Sequence, residues 1–376
     1  MKNDELLSKT ISYLRFPLTV GIVFIHFSLH EGLEIHGIKH GLDNPEWFFF
    51  IVYFISQVLA RIGVPLFFVI SGFLFFYGKD FSCEIYKGKL KTRYQSLFIP
   101  FVIWNVIAII WQMKCFLPIL SSFYSPFEIH LSLGRIFNTF FCNNNINGIL
   151  VGPPSAKSSG GNPIDVPLWY VRDLMVMVMF SPLIYWMTRK IGYCFSIGTG
   201  LVWFSSALFI PKDSYVDHLV TASFFFSVGA SYSILKENIV VAFRKLKFTP
   251  ILYLPIAFAD ALTKGMEYNE YLHKFGIVIG IIAAVVVASY FVNANKGKVC
   301  VALANSSFFI FALHYLFIGD VGKFAFTVSH VPENNPYAML ALYLTVPIFS
   351  ILVCLALYEI LKRYAPKLSN LLTGGR

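Results

Sequence analysis

Apolar runs of helical length recur from Ile11 to Leu361 with no long polar block between them, and that recurrence constrains the fold more than any other feature. A bilayer core of about 30 Å takes roughly 20 apolar helical residues. Segments of that character lie near residues 11–29, 46–77, 96–113, 167–187, 194–210, 217–235, 249–261, 275–292, 301–318 and 338–361. Only 13% of residues are charged and 57% are hydrophobic, whereas a soluble domain carries about 25% charged residues. The sequence therefore predicts an all-α integral membrane protein of about ten transmembrane helices, forming a single membrane domain over residues 1–376. The seventh segment is short. The second is overlong, roughly 48 Å at 1.5 Å per residue, and contains Gly63, Pro65 and Gly72, so it is expected to tilt, kink or project into water. Asp4 and Glu5 sit among the N-terminal lysines and no small-residue cleavage site follows, so the first span is expected to persist in the mature protein.

A formal charge of +10 invites a nucleic-acid reading. The positions of the Lys and Arg residues remove its support. With ten spans, nineteen of them fall in one set of loops, eight in the other and three inside spans. The positive-inside rule then places both termini in the cytoplasm and makes most of the basic excess topological. The six cysteines are scattered, without a C-x-x-C pair or metal-ligand spacing, and read as small apolar fillers. No metal is predicted. The longest loop, about 114–166, lies on the outer side and ends in the breaker-rich run from Gly152 to Pro163. It is either a connector or a lid or acceptor-binding segment. No internal repeat at a fixed period is present, which weighs against a transporter built from inverted repeats.

An ionisable side chain inside a span costs about 2.5–3.5 kcal/mol on insertion scales, so each needs a partner or a task. Eleven residues separate Arg15 from His26, about 1100° of helical rotation, which puts both on one face about 16 Å apart. Three readings fit: a snorkelling arginine with a structural histidine; a His26/His30 metal site completed by Glu34 or His36; or a catalytic base with an anion-binding arginine below it. Imidazole suits the last, because a group of pKa near 6.5 accepts protons at cellular pH. Arg61 pairs with Glu31 or Glu34, or serves the same cavity; beside Ser71, Gly72 offers a close-approach point. Lys87, Lys89, Lys91 and Arg93 read as positive-inside anchors or as a cradle for donor phosphates. Trp169, Arg172 and Asp173 read as a belt tryptophan with a local ion pair. His314 either bonds Tyr315 or a neighbour, or faces the cavity of His26.

In this order, Arg15-x10-His26, the run Val64 to Phe73 with its Ser-Gly pair, the basic stretch leading to Ile99-Pro-Phe-Val-Ile-Trp104, Leu168-Trp-Tyr-Val-Arg172 and the Ser-Phe-Phe-Ile-Phe-Ala-Leu-His314 block resemble the acyltransferase-3 family of bacterial membrane O-acyltransferases. The resemblance covers nearly the whole chain. It implies transfer of an acyl group, usually acetyl, from cytoplasmic acyl-CoA to a hydroxyl on the outer side of the bacterial inner membrane, with Arg15 and His26 as the essential pair. Arg61, Lys89, Lys91 and Arg93 would meet the donor, and Ser71, Trp169, Arg172 and His314 would support the acceptor side. One departure stands out: members often carry two arginines separated by two residues before the proline, whereas Arg93 is followed by Tyr94, Gln95 and Ser96. Lys89 or Lys91 would then share the phosphate role. With no esterase-like segment after Arg376, the chain resembles the stand-alone form. The implied partners are the lipid bilayer, acyl-CoA and a glycan or lipid-linked sugar. A lipid-linked glycan flippase or polymerase, or a non-enzymatic membrane module, would share the spans but not need the donor.

Overall fold

The computed structural model describes residues 3–35, 38–78, 80–116, 128–143, 148–151, 161–294, 297 and 299–375. Most of the breaker-rich run, residues 152–160, and Lys79 lie outside these. The chain is built from helices: α1 (Asn3–His26), α2 (Glu46–Phe76), α3 (Cys83–Gln112), α4 (Leu133–Phe141), α5 (Trp169–Met179), α6 (Ser181–Ile191) and α7 (Cys194–Leu208). They continue as α8 (Tyr215–Ile234), α9 (Ile239–Arg244), α10 (Thr249–Leu262), α11 (Asn269–Asn293), α12 (Val301–Val328), α13 (Pro336–Tyr364) and α14 (Pro366–Thr373). Two short antiparallel pairs, Leu33–Ile35 with Ile38–His40 and Glu128–Ile129 with Leu150–Val151, lie in the connections.

Among the described residues, α2, α3, α11, α12 and α13 are long and apolar enough to cross a membrane, and α5 with α6 would make a sixth crossing. The chain is an all-α membrane protein. Each of the ten apolar segments is helical, with two differences from expectation. The fourth is broken: α5 and α6 meet at 62°. Pro182 sits in the first turn of α6, where its missing N–H leaves no gap, but within one continuous helix its ring would clash with the preceding turn. The third begins at Cys83 rather than Ser96, because Ser82 accepts a hydrogen bond from the Ile85 amide (3.2 Å) and starts the helix early. The basic run is therefore helical. In the overlong second segment, the irregular stretch is Phe54–Ile62, with π and 3-10 turns, while Pro65 lies harmlessly in the first turn of Gly63–Phe76.

The largest buried cluster draws residues from Leu6 to Leu372 and centres on α1, α2, α5, α8, α11 and α12. Its tightest crossing is α2 on α8. A β-carbon on Gly72 would collide with the Phe226 carbonyl, and one on Gly229 with the Val69 carbonyl. The close-approach point at Gly72 is thus a backbone-to-backbone contact, the packing that membrane helices reach through small residues. It holds Ser71 toward the interior. At the other end of the chain, the Trp104 indole donates to the Leu372 carbonyl (3.0 Å) and fastens α14 to α3.

Candidate active site

Helix α1 presents Arg15, Thr19, Ile22 and His26 at spacings of four, three and four, one stripe along its inner face. That stripe borders two chambers. The first, about 410 Å³, is lined by Arg15 and Thr19 of α1, Ser71 and Phe75 of α2, Arg93 of α3, Tyr170 of α5 and Asn305 and Ser307 of α12. The second, about 490 Å³, is lined by His26, Arg61, Trp169, His218, His273 and Tyr315 among others. On α1 the two linings are separated by the step from Thr19 to Ile22, on α2 by that from Pro65 to Phe67, on α5 by that from Trp169 to Tyr170, and on α12 by that from Phe311 to Tyr315. The wall between the chambers is therefore about one helical turn, roughly 5.4 Å.

In the Arg15 chamber, the Tyr170 hydroxyl and Ser71 Oγ are hydrogen-bonded at 2.8 Å, so both are tied to the wall. Thr19 Oγ1 donates to the Arg15 carbonyl (3.0 Å). Arg93 shares this chamber with Arg15, two guanidinium groups on different helices facing one space. Lys89 instead donates to the Phe75 carbonyl and lies over the Phe75 ring, 4.9 Å from its centroid, while Lys91 is exposed. The first chamber thus offers Arg93 rather than the lysines to an anion.

His26 ends α1 one turn beyond Ile22, on the second-chamber side of that wall. Its ring lies 5.3 Å from the His314 ring and 5.1 Å from the Tyr315 ring, centroid to centroid. Nδ1 of His314 is 2.8 Å from the Ile310 carbonyl. A carbonyl only accepts, so Nδ1 carries the proton, and Nε2 is an acceptor. That nitrogen is buried and unpartnered among the described residues. Of the partners expected for His314, Tyr315 or a neighbour, it is a neighbour one turn back, the Ile310 carbonyl, that holds it. Arg61 lies in the second chamber, its Nε and Nη2 both donating to Gln57 Oε1 at 2.9 and 2.7 Å. It is on the His26 side of the wall, apart from Arg93.

Trp169 stacks on His218 (centroids 4.1 Å apart, 17° between planes) and lines the second chamber, so it is a cavity wall rather than a lipid-facing belt residue. Arg172 is fully buried. It donates to Asp173 (Nε to Oδ1, 2.7 Å), to the Gly161 carbonyl (2.7 Å) and to the Phe141 carbonyl, and it lies over the Tyr215 ring. The local ion pair is present, but its task is to hold the connection before α5. The His30 side chain and all of His36 lie outside the described residues, and among those described no group of three His, Cys, Asp or Glu side chains is placed to hold a metal ion.

Sequence reasoning missed several groups around the second chamber. Lys274, assigned to a loop, is buried in α11 and donates to the Trp203 carbonyl (2.8 Å) and Ser206 Oγ (2.9 Å). Lys212 pairs with Glu270 at 3.1 Å, and His273 Nδ1 lies 2.8 Å from Asp260 Oδ2. Asp165, in the connection before α5, is buried with neither carboxylate oxygen bonded among the described residues. Burial pushes its carboxyl well above the usual range. Folding then takes up a proton, so Asp165 should make the protein less stable as pH rises from about 4, its unfolded value, through the raised folded one. Melting temperatures between pH 5 and 8 should fall more for the wild type than for Asp165→Asn, which has no proton to lose. Parallel curves would show that Asp165 is not the cause.

Comparison with known proteins adds two findings. The family described as "Acyltransferase domain" matches residues 9–359. The succinoglycan biosynthesis protein ExoH of Rhizobium meliloti (strain 1021) is 24% identical over 381 residues, covering 99% of this chain and 94% of that protein. No solved structure matches.

Proposed function

Because the chain belongs to the acyltransferase-3 family, we propose that it moves an acyl group, acetyl in the simplest case, from cytoplasmic acyl-CoA to a hydroxyl of an extracytoplasmic glycan. The glycan follows from the relative, whose name places it in succinoglycan biosynthesis. What carries the reading is the pair of chambers on one stripe of α1, with Arg15 and Arg93 in one and His26 at the edge of the other. Ten spans with both termini in the cytoplasm would put the Arg15 chamber inside and the His26 chamber outside. A donor then enters from one face and an acceptor from the other.

In this scheme the two arginines meet the negative charge of the donor, where a charge-assisted hydrogen bond in a partly desolvated site is strong. The thioester passes the one-turn wall to reach His26. A histidine there has two tasks open to it: taking the proton of the acceptor hydroxyl, or carrying the acyl group. Trp169, stacked on His218, gives the acceptor side a flat aromatic wall.

The experiment is incubation of the purified protein in lipid with labelled acetyl-CoA, following saturable binding, acyl-protein and transfer to glycan. Binding is expected, and Arg93→Ala should weaken it about tenfold or more, since a hydrogen bond to a charged group contributes about 1.5–3 kcal/mol. Absence of binding, hydrolysis and acyl-protein would turn the reading toward a glycan flippase, a polymerase or a non-enzymatic module.

A further inference from the structure

In the second chamber, away from the α1 stripe, the adjoining ends of α10 and α11 carry a further histidine in a setting built for proton transfer. His273 Nδ1 lies 2.8 Å from Oδ2 of Asp260, and Asp260 is 2% exposed in its side chain. The other oxygen, Oδ1, accepts from Asn269 Nδ2 at 3.1 Å. Both carboxylate oxygens are held, so the acid has one orientation and fixes the imidazole in turn. With its Nδ1–H donating to the carboxylate, neutral His273 keeps Nε2 as the lone-pair nitrogen. The side chain lines the chamber, and among the described residues Nε2 makes no hydrogen bond. A base oriented by a buried carboxylate is the arrangement that activates hydroxyl groups in nucleophilic catalysis.

His26 is set differently. It has aromatic rings as neighbours, among the described residues no carboxylate bonded to either nitrogen, and a place on the second-chamber side of the wall, on the stripe that leads back to Arg15 in the donor chamber. Resting on the acyl-CoA reading above, we propose that the two tasks are divided: His26 carries the acyl group, and His273, oriented by Asp260, removes the proton of the acceptor hydroxyl. In the first step a ring nitrogen of His26 bonds to the thioester carbon, the C–S bond breaks, and the thiolate leaves with the electron pair and takes the proton displaced from the imidazole. In the second, the acceptor O–H gives its proton to His273 Nε2 while its oxygen bonds to the acyl carbon. The C–N bond to His26 breaks, its electron pair returns to the ring, and His26 is reprotonated by the proton His273 took. The sum is thioester plus alcohol giving ester plus thiol.

The test uses full-length protein in membrane vesicles with radiolabelled acetyl-CoA, and glycan extracted from cells lacking the protein as acceptor. His273→Asn is the sharp variant: its amide can replace the Nδ1–H donor to Asp260, and it has no Nε2. Transfer to glycan should fall about 100-fold or more, the usual contribution of a general base. Release of free CoA thiol and label on the protein should persist, and added imidazole should restore part of the transfer. His26→Ala should show neither label nor transfer. Asp260→Asn, which keeps the shape and loses the charge, should reduce transfer while leaving acetyl-CoA binding intact, a second route if His273→Asn does not accumulate in the membrane. Transfer by folded His273→Asn within a few-fold of wild type overturns the assignment, and so does joint loss of label and transfer with binding retained. Wild-type protein that neither binds nor consumes acetyl-CoA instead removes the donor reading, and the inference with it.

Discussion

His26→Ala is expected to leave a fully inserted protein that transfers no measurable acyl group, a loss of at least about 10²- to 10⁴-fold whether the imidazole takes a proton or carries the acyl group. Insertion should survive because His26 is the last residue of α1 and, among the described residues, its side chain makes no hydrogen bond. What the substitution removes from the fold is the ring contact with His314 and Tyr315, worth about 0.5–1.5 kcal/mol for an aromatic pair. Arg15 and Thr19 stay in place about three and two turns below, so donor binding should be close to normal. The measurement is label transferred from acetyl-CoA to glycan in vesicles, set beside the melting temperature and the acetyl-CoA affinity of the same preparation. A stable His26→Ala protein that transfers at the wild-type rate would remove His26 from the chemistry altogether.

The Arg15–His26 stripe could be read from the chain because both residues lie on one helix, where 3.6 residues per turn convert spacing into geometry. The ten apolar segments were readable for the same reason. What escaped were contacts between elements. Asp260 and His273 stand at the edges of the seventh and eighth segments, where each looks like an ordinary polar residue near an interface; only the turn between α10 and α11 brings them within 2.8 Å. Lys274, one residue on, looked like a loop cation and is instead buried against the Trp203 carbonyl. Arg61 carried two local explanations, Glu31 and Glu34, and took a third, Gln57 one turn back on its own helix. The break between α5 and α6 had a signal in Pro182, passed over because the segment is apolar on both sides of it. For Trp169 the signal pointed the wrong way: an aromatic at a span end suggests the interface, and His218 makes it a wall.

Arg172 is where the largest loss of stability is expected. Its side chain is 1% exposed, and it satisfies three acceptors: the Asp173 carboxylate, the Gly161 carbonyl and the Phe141 carbonyl. Arg172→Met has a similar apolar stem and removes all three donors. Asp173 would be left as a buried charge with no cation, and breaking a buried pair from one side costs about 3–5 kcal/mol. One carbonyl ends α4 and the other lies in the connection that leads from it into α5, where Gly161 is packed so closely on the Asp213 carbonyl that no side chain fits. Without Arg172 that connection loses its tie to α5, and Trp169, one turn earlier on the same helix, loses its fixed place beside His218. Arg172→Met should therefore melt well below wild type in detergent, be cut faster by protease between α4 and α5, and transfer acyl groups poorly at temperatures where it remains folded. Adding Asp173→Leu should recover part of the stability, because the orphaned charge is gone, though not all of it, because the carbonyls of Phe141 and Gly161 still lack a donor. A single Arg172→Met protein within about 1 kcal/mol of wild type, the range of an exposed ion pair, would mean that the pair carries none of this weight.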